Sequence, residues 1–308
     1  MEPQPKISVL IPTYNYAHFL DDAIQSVLNQ SFKDFEMIIV DNQSTDNTGQ
    51  VVEKYLHDPR ISYYKNPVNI GMIGNFNKCL EYATGDYIKY LLADDKFHPE
   101  LLEKFRRILD EHPNVCLVTS KSETFGLESR LRESPFEYLQ PGEKIIKEAI
   151  RDGRGNFIGE PTTVMFRASN LKVGNFDPNF FCLVDLDFWF RQLSLGDCYF
   201  VPEVLSYFRI HEDQSSIVYR FDNWFEEYNF YKRIKTHNDY NINHSDLNLD
   251  RTIKKTAIKS AGAMYKLLPG LREKKFRTLF KRAVAIALKE GVLASSLVLQ
   301  LTGKKKDK

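Results

Sequence analysis

Short apolar segments typical of strands alternate with amphipathic segments typical of helices over the first 120 residues of this chain. The strand-like segments are rich in β-branched and aromatic residues, and they are Ile7–Ile11, Phe35–Val40, Ile61–Tyr64, Tyr87–Ala93 and Val115–Thr119. Between them, apolar residues recur at the three- and four-residue spacing of one helix face. This alternation predicts an α/β fold in which a mainly parallel central sheet is flanked by helices.

Two adjacent carboxylates, Asp94 and Asp95, follow the fourth strand-like segment. In open α/β sheets, ligands bind just beyond the carboxyl ends of the strands, which is where this pair is expected. Adjacent carboxylates repel each other, so they are favoured in water or beside a cation. A divalent ion held by carboxylates and substrate phosphates meets that requirement. A solvated turn after the strand is the alternative interpretation at this point.

The turns and the cysteines exclude several common classes of protein. No turn contains GxGxxG or GxxxxGK followed by Ser or Thr, which argues against a dinucleotide-binding Rossmann domain and a P-loop NTPase. The four cysteines form no CxxC pair and no zinc-type spacing, so free thiols in a reducing cytoplasm are expected. The longest apolar run near the end, residues 291–301, is shorter than the ~20 residues that span a bilayer.

The last part of the sequence is strongly basic. Residues 251–308 contain 16 Lys and Arg against 3 Asp and Glu, a net charge of +13, whereas the whole chain carries +1. An acidic body with a basic end suggests an anionic partner, either a membrane surface or a nucleic acid. We expect a first domain of residues 1–216 and a basic, mostly helical region of residues 217–308. A helical subdomain whose charge is simply solvated is the alternative to membrane docking.

Six short motifs, taken together and in order, resemble the inverting glycosyltransferases of family 2, which have the GT-A fold. The motifs are Ile7–Asn15, Ile38–Asp46, Asn69–Gly71, Gly85–Asp95, Asp185–Arg191 and Tyr207–His211. Each motif is weak alone, but six in the family's order are specific. The resemblance covers residues 5–216, and it implies a Rossmann-like GT-A sheet, with the C-terminal helices as an extension outside the family pattern.

The resemblance implies a nucleotide-binding side of the site. One loop would receive the nucleoside and a second would close over it, and their residues are Pro12, Thr13, Tyr14 and Asn15, and then Asn69 and Gly71. Asp41, after the second strand, would accept the N–H of the base, because an imide such as uracil offers one donor to a carboxylate. The alternatives are a turn cap for Asp41 and an ordinary turn for the second loop.

The resemblance also implies a metal and a catalytic base. Asp94 would contact the ribose or the metal, and Asp95 would hold Mn²⁺ or Mg²⁺ against the diphosphate as the principal ligand. His211 would be a distal metal ligand or a diphosphate contact. Asp185 corresponds to the base that takes the proton of the acceptor hydroxyl. The alternatives are a surface histidine for His211 and a helix N-cap for Asp185.

The sequence departs from the family pattern at three positions. Many relatives have a second carboxylate where Asn42 stands, an acidic residue where Leu92 stands, and a Glu where Val184 stands. The first change would alter nucleotide choice, the second would shorten the metal motif, and the third would change the pKa of the base. Asp187 lies about 200° around the helix from the base. We therefore predict that it pairs with Arg191.

The implied reaction is the metal-dependent transfer of a sugar, with inversion, from a nucleotide-diphosphate sugar such as a UDP-sugar. The acceptor would be a hydroxyl of a glycan or lipid-linked glycan, during synthesis of a cell-surface glycan. The protein would be cytoplasmic, with peripheral contact to the inner face of the membrane through residues 251–308. No nucleic-acid-binding signature is present, so no nucleic acid partner is expected. A non-catalytic nucleotide-sugar-binding partner subunit is the alternative, against which the retained Asp185 argues.

Overall fold

The structure is a computed structural model, and it describes residues 6–151, 156–212, 220–237, 239–268, 272 and 274–296. By their internal contacts, the described residues form two compact units. Unit 1 contains those within 1–145, 156–179 and 184–212, and unit 2 contains those within 146–155, 180–183 and 213–308. The predicted boundary between residues 216 and 217 lies outside the described residues and stays a prediction.

Strands and helices alternate along unit 1. The described strands are β1 Ile7–Thr13, β2 Phe35–Asp41, β3 Ile61–Lys65, β4 Tyr87–Tyr90, β5 Lys96–Phe97, β6 Val115–Gly126, β7 Arg130–Arg132, β8 Tyr138–Gln140, β9 Met165–Arg167 and β10 Asp197–Ile210. The helices among them are α1 Ala17–Leu28, α2 Thr48–Glu53, α3 Gly71–Tyr82, α4 Leu101–Glu111, α5 Gly142–Ile150 and α6 Val184–Leu193. The residues of α5 from Ile146 onward belong to unit 2.

These strands form one sheet with the order β3-β2-β1-β4-β9-β6-β10-β5, to which β7 and β8 add beside β6 and β10. The first four strands of this order are parallel, β6 is parallel to β10, and β9 is antiparallel to both of its neighbours. The predicted mainly parallel α/β sheet is therefore confirmed. The strand order reverses at β1, between β2 and β4, and ligands bind at such a switch point in open α/β sheets.

The helices bury one apolar face against this sheet. In α4 the buried residues recur at helical spacing, and they are Leu101, Leu102, Phe105, Ile108 and Leu109. Every residue of β1 is buried, because helices cover both faces of a parallel sheet, and its sequence is accordingly apolar apart from Ser8 and Thr13. Burying each large apolar side chain contributes about 1.5–3 kcal/mol to stability. This core fixes the strand ends that carry the polar residues described below.

The first strand is longer than the sequence indicates, since β1 continues through Pro12 and Thr13. The carbonyl of Leu10 accepts the N–H of Leu91, so Leu10 faces β4. Residues alternate along a strand, so Pro12 faces the same side. There β4 has already ended at Tyr90, and the missing N–H of proline leaves no ladder bond broken.

Two further elements differ from the sequence-based expectation. The sequence predicts a helix from Asn75 to Ala83, whereas α3 begins four residues earlier, at Gly71. The two glycines in its first turn have low helix propensity, which concealed that start. The apolar segments 199–201 and 205–209 predict two strands, whereas the structure has the single strand β10, whose register with β6 shifts around Val204.

The C-terminal region, which the sequence predicts to be mostly helical, contributes to the described part of unit 2 the helices α7 Arg220–Thr236, α8 Leu249–Leu267 and α9 Lys274–Lys289. Apolar residues at helical spacing meet in a small core, and they are Phe225, Ala263, Leu267, Leu279 and Ala283. The Asn248 side chain caps α8 by accepting the N–H of Arg251. None of the helices in the described part of the chain is long and apolar enough to cross a membrane.

Candidate active site

Asp41 lies at the end of β2 and is fully buried. Its Oδ1 accepts the backbone N–H of Ser44 at 2.7 Å, and its Oδ2 accepts the Tyr63 hydroxyl at 2.7 Å and lies 3.8 Å from the Lys65 ammonium. The contact with Ser44 is the turn-capping role that the sequence left open. Each oxygen keeps a second lone pair. The role of Asp41 as an acceptor for a base N–H stays a prediction.

The loop after β1 is bonded to the loop after β2. Asn15 has a φ angle of +56°, and its backbone N–H donates to Ser44 Oγ at 2.9 Å while its Oδ1 accepts the N–H of Thr45 at 2.8 Å. Tyr14 is 45% exposed beside them. The Thr13 hydroxyl is buried and has no hydrogen-bond partner among the described residues. A buried hydroxyl without a partner is a favourable contact for a polar ligand.

Asn42 holds the second predicted loop in place. Its Nδ2 donates to Asn69 Oδ1 at 2.9 Å and to the carbonyl of Gly71 at 3.1 Å. Its Oδ1 accepts the amide of Asn66 at 3.1 Å and the N–H of Ile70 at 2.9 Å. The sequence was interpreted here only as the loss of a carboxylate. In the structure, the amide nitrogen of Asn42 is a donor that bonds two acceptors of the second loop.

Replacing Asn42 by Asp is therefore expected to weaken nucleotide binding by about tenfold, with little change in kcat. The new carboxylate oxygen would face two acceptors at hydrogen-bond distance, and each lost bond costs about 1 kcal/mol. Titration calorimetry with UDP measures the effect. Asn77→Asp is the matched control, because Asn77 makes its amide bonds to Phe176 instead of to this loop. Equal affinities for the Asn42→Asp variant and the wild type would contradict this role.

The structure brings Asp94 and His211 together. Asp94 follows β4, His211 follows β10, and Asp94 Oδ2 lies 3.0 Å from His211 Nε2. The imidazole is flanked by the rings of Tyr16 and Phe19, whose centroids lie 5.5 and 4.9 Å from its own. These contacts fix the orientation of the imidazole relative to the carboxylate. A carboxylate and a histidine at this distance are suitable ligands for one divalent ion.

Asp95 is directed into the protein. It is fully buried, its Oδ2 accepts the Thr162 hydroxyl at 2.5 Å, and its Oδ1 accepts the N–H of Arg209 at 3.0 Å. Burial, followed by the charge of Asp94, raises the pKa of the Asp95 carboxyl well above its usual range. The sequence grouped Asp95 with His211 as the metal ligands, whereas the structure pairs His211 with Asp94. Of the two carboxylates, Asp94 is the one that keeps exposed surface, at 8%.

A buried lysine fixes the segment that carries Thr162. The ammonium of Lys89, on β4, donates to the carbonyls of Pro161 and Thr162 and to that of Val164 at 3.3 Å. It lies 4.7 Å from the centroid of the Phe97 ring. Burial lowers the pKa of Lys89 well below its usual value. The carbonyls compensate for the water that this ammonium has lost.

Asp185 lies in the first turn of α6 and is partly exposed. Its Oδ1 accepts the N–H of Leu186 at 2.7 Å, and its Oδ2 accepts the side-chain amide of Asn156 at 2.8 Å. Burial, followed by the negative charge of Glu160, raises the pKa of Asp185 to about 7. A carboxyl group with a pKa near neutrality suits a general base.

The neighbours of Asp185 on α6 stabilise the fold. Arg191 Nη2 lies 2.7 Å from Asp187 Oδ2, which confirms the predicted pair. The same guanidinium donates to the carbonyls of Val173 and Asn175 at 2.9 Å. Asp187 is therefore committed to an ion pair that anchors the helix.

Residues 156–163 form a segment that connects the two groups of carboxylates. Asn156 bonds Asp185 as described, while Thr162 bonds Asp95. Between them, the indole N–H of Trp189 donates to the carbonyl of Gly159 at 2.9 Å. Gly159 has a φ angle of +123°, and a Cβ there would lie 1.9 Å from Thr163 Oγ1, so no other residue fits.

Glu160 and Arg209 interact with the candidate site, and the sequence did not identify either residue as functional. The charge of Glu160 raises the pKa of both Asp185 and Asp95. Arg209 donates from Nε to the carbonyl of Asp94 at 2.8 Å. Arg209 lies inside a motif that carried the resemblance, which was the available signal. No signal marked Glu160, because the region before it has no regular pattern.

The side chains of Asp94 and His211 are suitable ligands for a divalent ion that is bound together with a diphosphate. Among the described residues, no group of three or more His, Cys, Asp or Glu side chains is arranged so that it could hold a metal ion by itself. Asp94 and His211 would supply one oxygen and one nitrogen to such an ion, and phosphate and water would supply its other ligands. Mg²⁺ and Mn²⁺ sites that bind nucleotides commonly have this open character.

A family model described as "Glycosyl transferase family 2" matches residues 8–174, which is more than half of the chain. The chain belongs to glycosyl transferase family 2. This family 2 member is 30% identical to the putative glycosyltransferase EpsE of Bacillus subtilis over 76% of this chain and 85% of EpsE. It is 32% identical to an uncharacterized protein of Mycobacterium tuberculosis over 66% of each chain. Membership places the chain among the glycosyltransferase enzymes.

Solved structures support the GT-A assignment of this family 2 enzyme. S. aureus TarS in complex with UDP-GlcNAc superposes with a TM-score of 0.64 at 20% identity, over 94% of this chain and 83% of that one. Mannosyltransferase PcManGT of Pyrobaculum calidifontis, in complex with GDP-Man and Mn²⁺, superposes with a TM-score of 0.56 at 16% identity, over 97% and 88%. At these identities the likeness establishes the fold alone.

Proposed function

We propose that this glycosyltransferase transfers a sugar with inversion from a nucleotide-diphosphate sugar, a UDP-sugar in the first place, to an acceptor hydroxyl. The observation that carries the proposal is Asp185, a carboxyl group with a pKa of about 7 that is held by Asn156. The segment that contains Asn156 also contacts Asp95 through Thr162, beside the Asp94–His211 pair. One short segment of backbone thus contacts both the proposed base and Asp95, the neighbour of the proposed metal ligand Asp94.

The roles at the metal side follow from exposure and contacts. Asp94 and His211 would hold Mn²⁺ or Mg²⁺ against the diphosphate, because their side chains meet and Asp94 keeps exposed surface. Asp95, which is fully buried and has a hydrogen bond on each oxygen, would position Thr162 and the backbone of Arg209. This exchanges the roles that the sequence predicted for the two carboxylates. When bound, the ion neutralises the charge of the departing diphosphate.

Side chains of this protein would bind the nucleoside and accept the proton of the acceptor hydroxyl. Asp41, Thr13 and Asn15 would bind the nucleoside at the ends of β1 and β2. Asp185 would accept the proton of the acceptor hydroxyl as that oxygen bonds to the anomeric carbon. The hydrogen bond from Asn156 keeps Asp185 Oδ2 oriented during this transfer. Holding the two reactants together supplies much of the remaining rate.

The rate should depend on pH through Asp185. Its pKa is raised, so the active deprotonated form accumulates as the pH rises through about 7, and kcat/KM should rise with it. Replacing Glu160 by Gln removes one cause of the raised pKa and should move this acidic limb to lower pH. The matched control is Glu111→Gln, because Glu111 is exposed, lies 3.8 Å from Arg107 on α4 and lines neither part of the site. Profiles of kcat/KM that coincide for Glu160→Gln and wild type would refute this assignment.

A nucleotide-sugar-binding partner subunit without catalysis is the second candidate, because the fold alone does not require chemistry. Release of nucleotide from a panel of UDP-, GDP- and dTDP-sugars, with Mn²⁺ and without acceptor, separates the two. A transferase releases nucleotide slowly by transfer to water, and a binding subunit releases none. The panel also identifies the donor nucleotide and sugar.

We place the acceptor in cell-surface glycan synthesis. This is supported by the 41% identity over 102 residues to TuaG of Bacillus subtilis, a putative teichuronic acid biosynthesis glycosyltransferase. Peripheral membrane contact through residues 251–308 stays a prediction from charge, since each well-placed Lys or Arg contributes about 1 kcal/mol on an anionic surface. Flotation with phosphatidylserine vesicles tests it, and the absence of binding at low salt would exclude it.

A further inference from the structure

Unit 1 contains a polar cavity of about 490 Å³ that the steps above leave unused. Its volume lies in the range of small-molecule binding sites. Alternate residues of β6 line one wall, so their side chains share one face of the sheet. The segment of residues 156–163 lines the opposite part. The hydroxyl, amide and glycine residues of the lining are Ser120, Ser122, Thr124, Ser134, Asn156, Gly159 and Thr163.

The cavity is lined by neighbours of both chemical groups of the proposed reaction. Asn156 lines it and donates to Asp185, so the candidate base lies directly behind this wall. Ile210 also lines the cavity, and the next residue is His211. Thr163 lines it, and the preceding Thr162 bonds Asp95. A molecule in this cavity would therefore contact Asn156, which is the partner of the base, and residues adjacent in the chain to those on the diphosphate side of the site.

We propose that this cavity binds the acceptor, and that the acceptor presents an uncharged, polyhydroxylated sugar end. The proposal rests on the proposed function, because it needs Asp185 to be the base. The sugar hydroxyls would bond the Ser and Thr side chains of β6. Their number and spacing suit a molecule with many donors and acceptors and no fixed charge.

The charges of the lining favour a neutral molecule over an anionic one. Arg132 is already paired with Glu160 at 2.5 Å. Glu133 is paired with Lys121 at 3.0 Å. The three Glu and two Arg of the lining, together with Lys121 beside Glu133, carry no net charge, so a phosphate or uronate would find no surplus of positive charge there. Removing an anion from water without a surplus of cations is unfavourable.

The walls are rigid, as selectivity among similar sugars requires. The β7 residues Arg132 and Arg130 lie opposite Ser122 and Thr124 in the antiparallel ladder, which fixes their register. Gly159 admits no side chain, and the Trp189 bond holds its carbonyl. A preformed site loses little conformational entropy on binding.

The test uses saturation-transfer difference NMR on the full chain with UDP and Mn²⁺ present. The probes are neutral methyl hexosides and disaccharides, methyl glucuronide and glycerol phosphate. We expect saturation to be transferred from the protein to the neutral probes, and little of it to the anionic probes. Ser120→Trp and Ser134→Trp, two partly exposed lining positions, should each weaken neutral-probe binding by at least about tenfold, because the indole fills the cavity.

Leu127→Trp is the matched control, because Leu127 is 69% exposed and is not part of the lining. Undiminished signal in both blocked variants, or no signal from any probe with the wild type, overturns the site. If the wild type binds the anionic probes more tightly than the neutral ones, and Arg130→Gln loses that binding, the proposal of an uncharged acceptor is wrong. A UDP-induced thermal shift in each variant shows that the donor site is intact. If the wild type neither binds nucleotides nor releases them from nucleotide sugars, the proposed function fails instead.

Discussion

Replacing Asp185 by Asn is expected to lower the rate of sugar transfer by about 10²–10⁴-fold, which is the usual contribution of a positioned general base. The amide has nearly the same shape, so the oxygen that accepts from Asn156 can be kept. It cannot take the proton of the acceptor hydroxyl at any pH near neutrality. The loss should therefore appear in kcat, with the donor affinity unchanged, and the acidic limb near pH 7 should disappear with it.

Asp187→Asn provides the matched comparison on the same helix. It weakens the ion pair with Arg191, which should lower the melting temperature while the acidic limb of the rate profile stays in place. Single-turnover transfer from a radiolabelled donor measures the first variant, and a thermal melt measures the second. Transfer by Asp185→Asn at near wild-type rate would remove the base assignment.

Removing divalent metal should abolish turnover, and changing either residue of the Asp94–His211 pair should weaken Mn²⁺ binding by about 10–100-fold. The pair supplies the two protein ligands in the proposed arrangement, and the carboxylate and the imidazole are 3.0 Å apart. We expect EDTA to stop transfer and added Mn²⁺ to restore it. Electron paramagnetic resonance of Mn²⁺ in the presence of UDP measures the affinity of Asp94→Asn and His211→Gln directly.

Asp95→Asn separates this assignment from the one predicted by the sequence. Because both oxygens of Asp95 accept hydrogen bonds inside the protein, its amide variant should lose stability more than Mn²⁺ affinity. If Asp95→Asn instead weakens Mn²⁺ binding more than Asp94→Asn does, Asp95 is the principal metal ligand, as the sequence predicts. Full activity in EDTA would exclude a metal role for either.

The contrast between Asp94 and Asp95 shows what the sequence can and cannot provide. The apolar run before them predicts a strand, and the strand end predicts the edge of the sheet at which they lie. Which of the two faces outward depends on the backbone N–H of Arg209, more than 100 residues later in the chain. A contact of that sequence separation leaves no local pattern. The order of β9, β6 and β10 in the sheet is concealed for the same reason.

Local patterns were sufficient where local forces decide the structure. Helices α4 and α8 follow apolar periodicity, and the pair of Asp187 with Arg191 follows helix geometry. They were insufficient at Asn42, where the sequence showed a missing charge and the structure shows a network of amide hydrogen bonds. Glu160 influences the base through space, from a region without periodicity. The distribution of charge around Asp185 therefore required the folded chain.

Lys89 has a practical consequence for experiments that score every substitution by growth or activity. Its ammonium bonds the backbone on either side of Thr162, in the segment that also carries Asn156 and Glu160. Loss of this one cation would shift the partners of both Asp95 and Asp185 at once. A deep mutational scan would consequently rank Lys89 among the residues that perform chemistry, although it contacts only protein. Proteins that are designed on this scaffold should keep the lysine and its carbonyl partners together as one transferable unit.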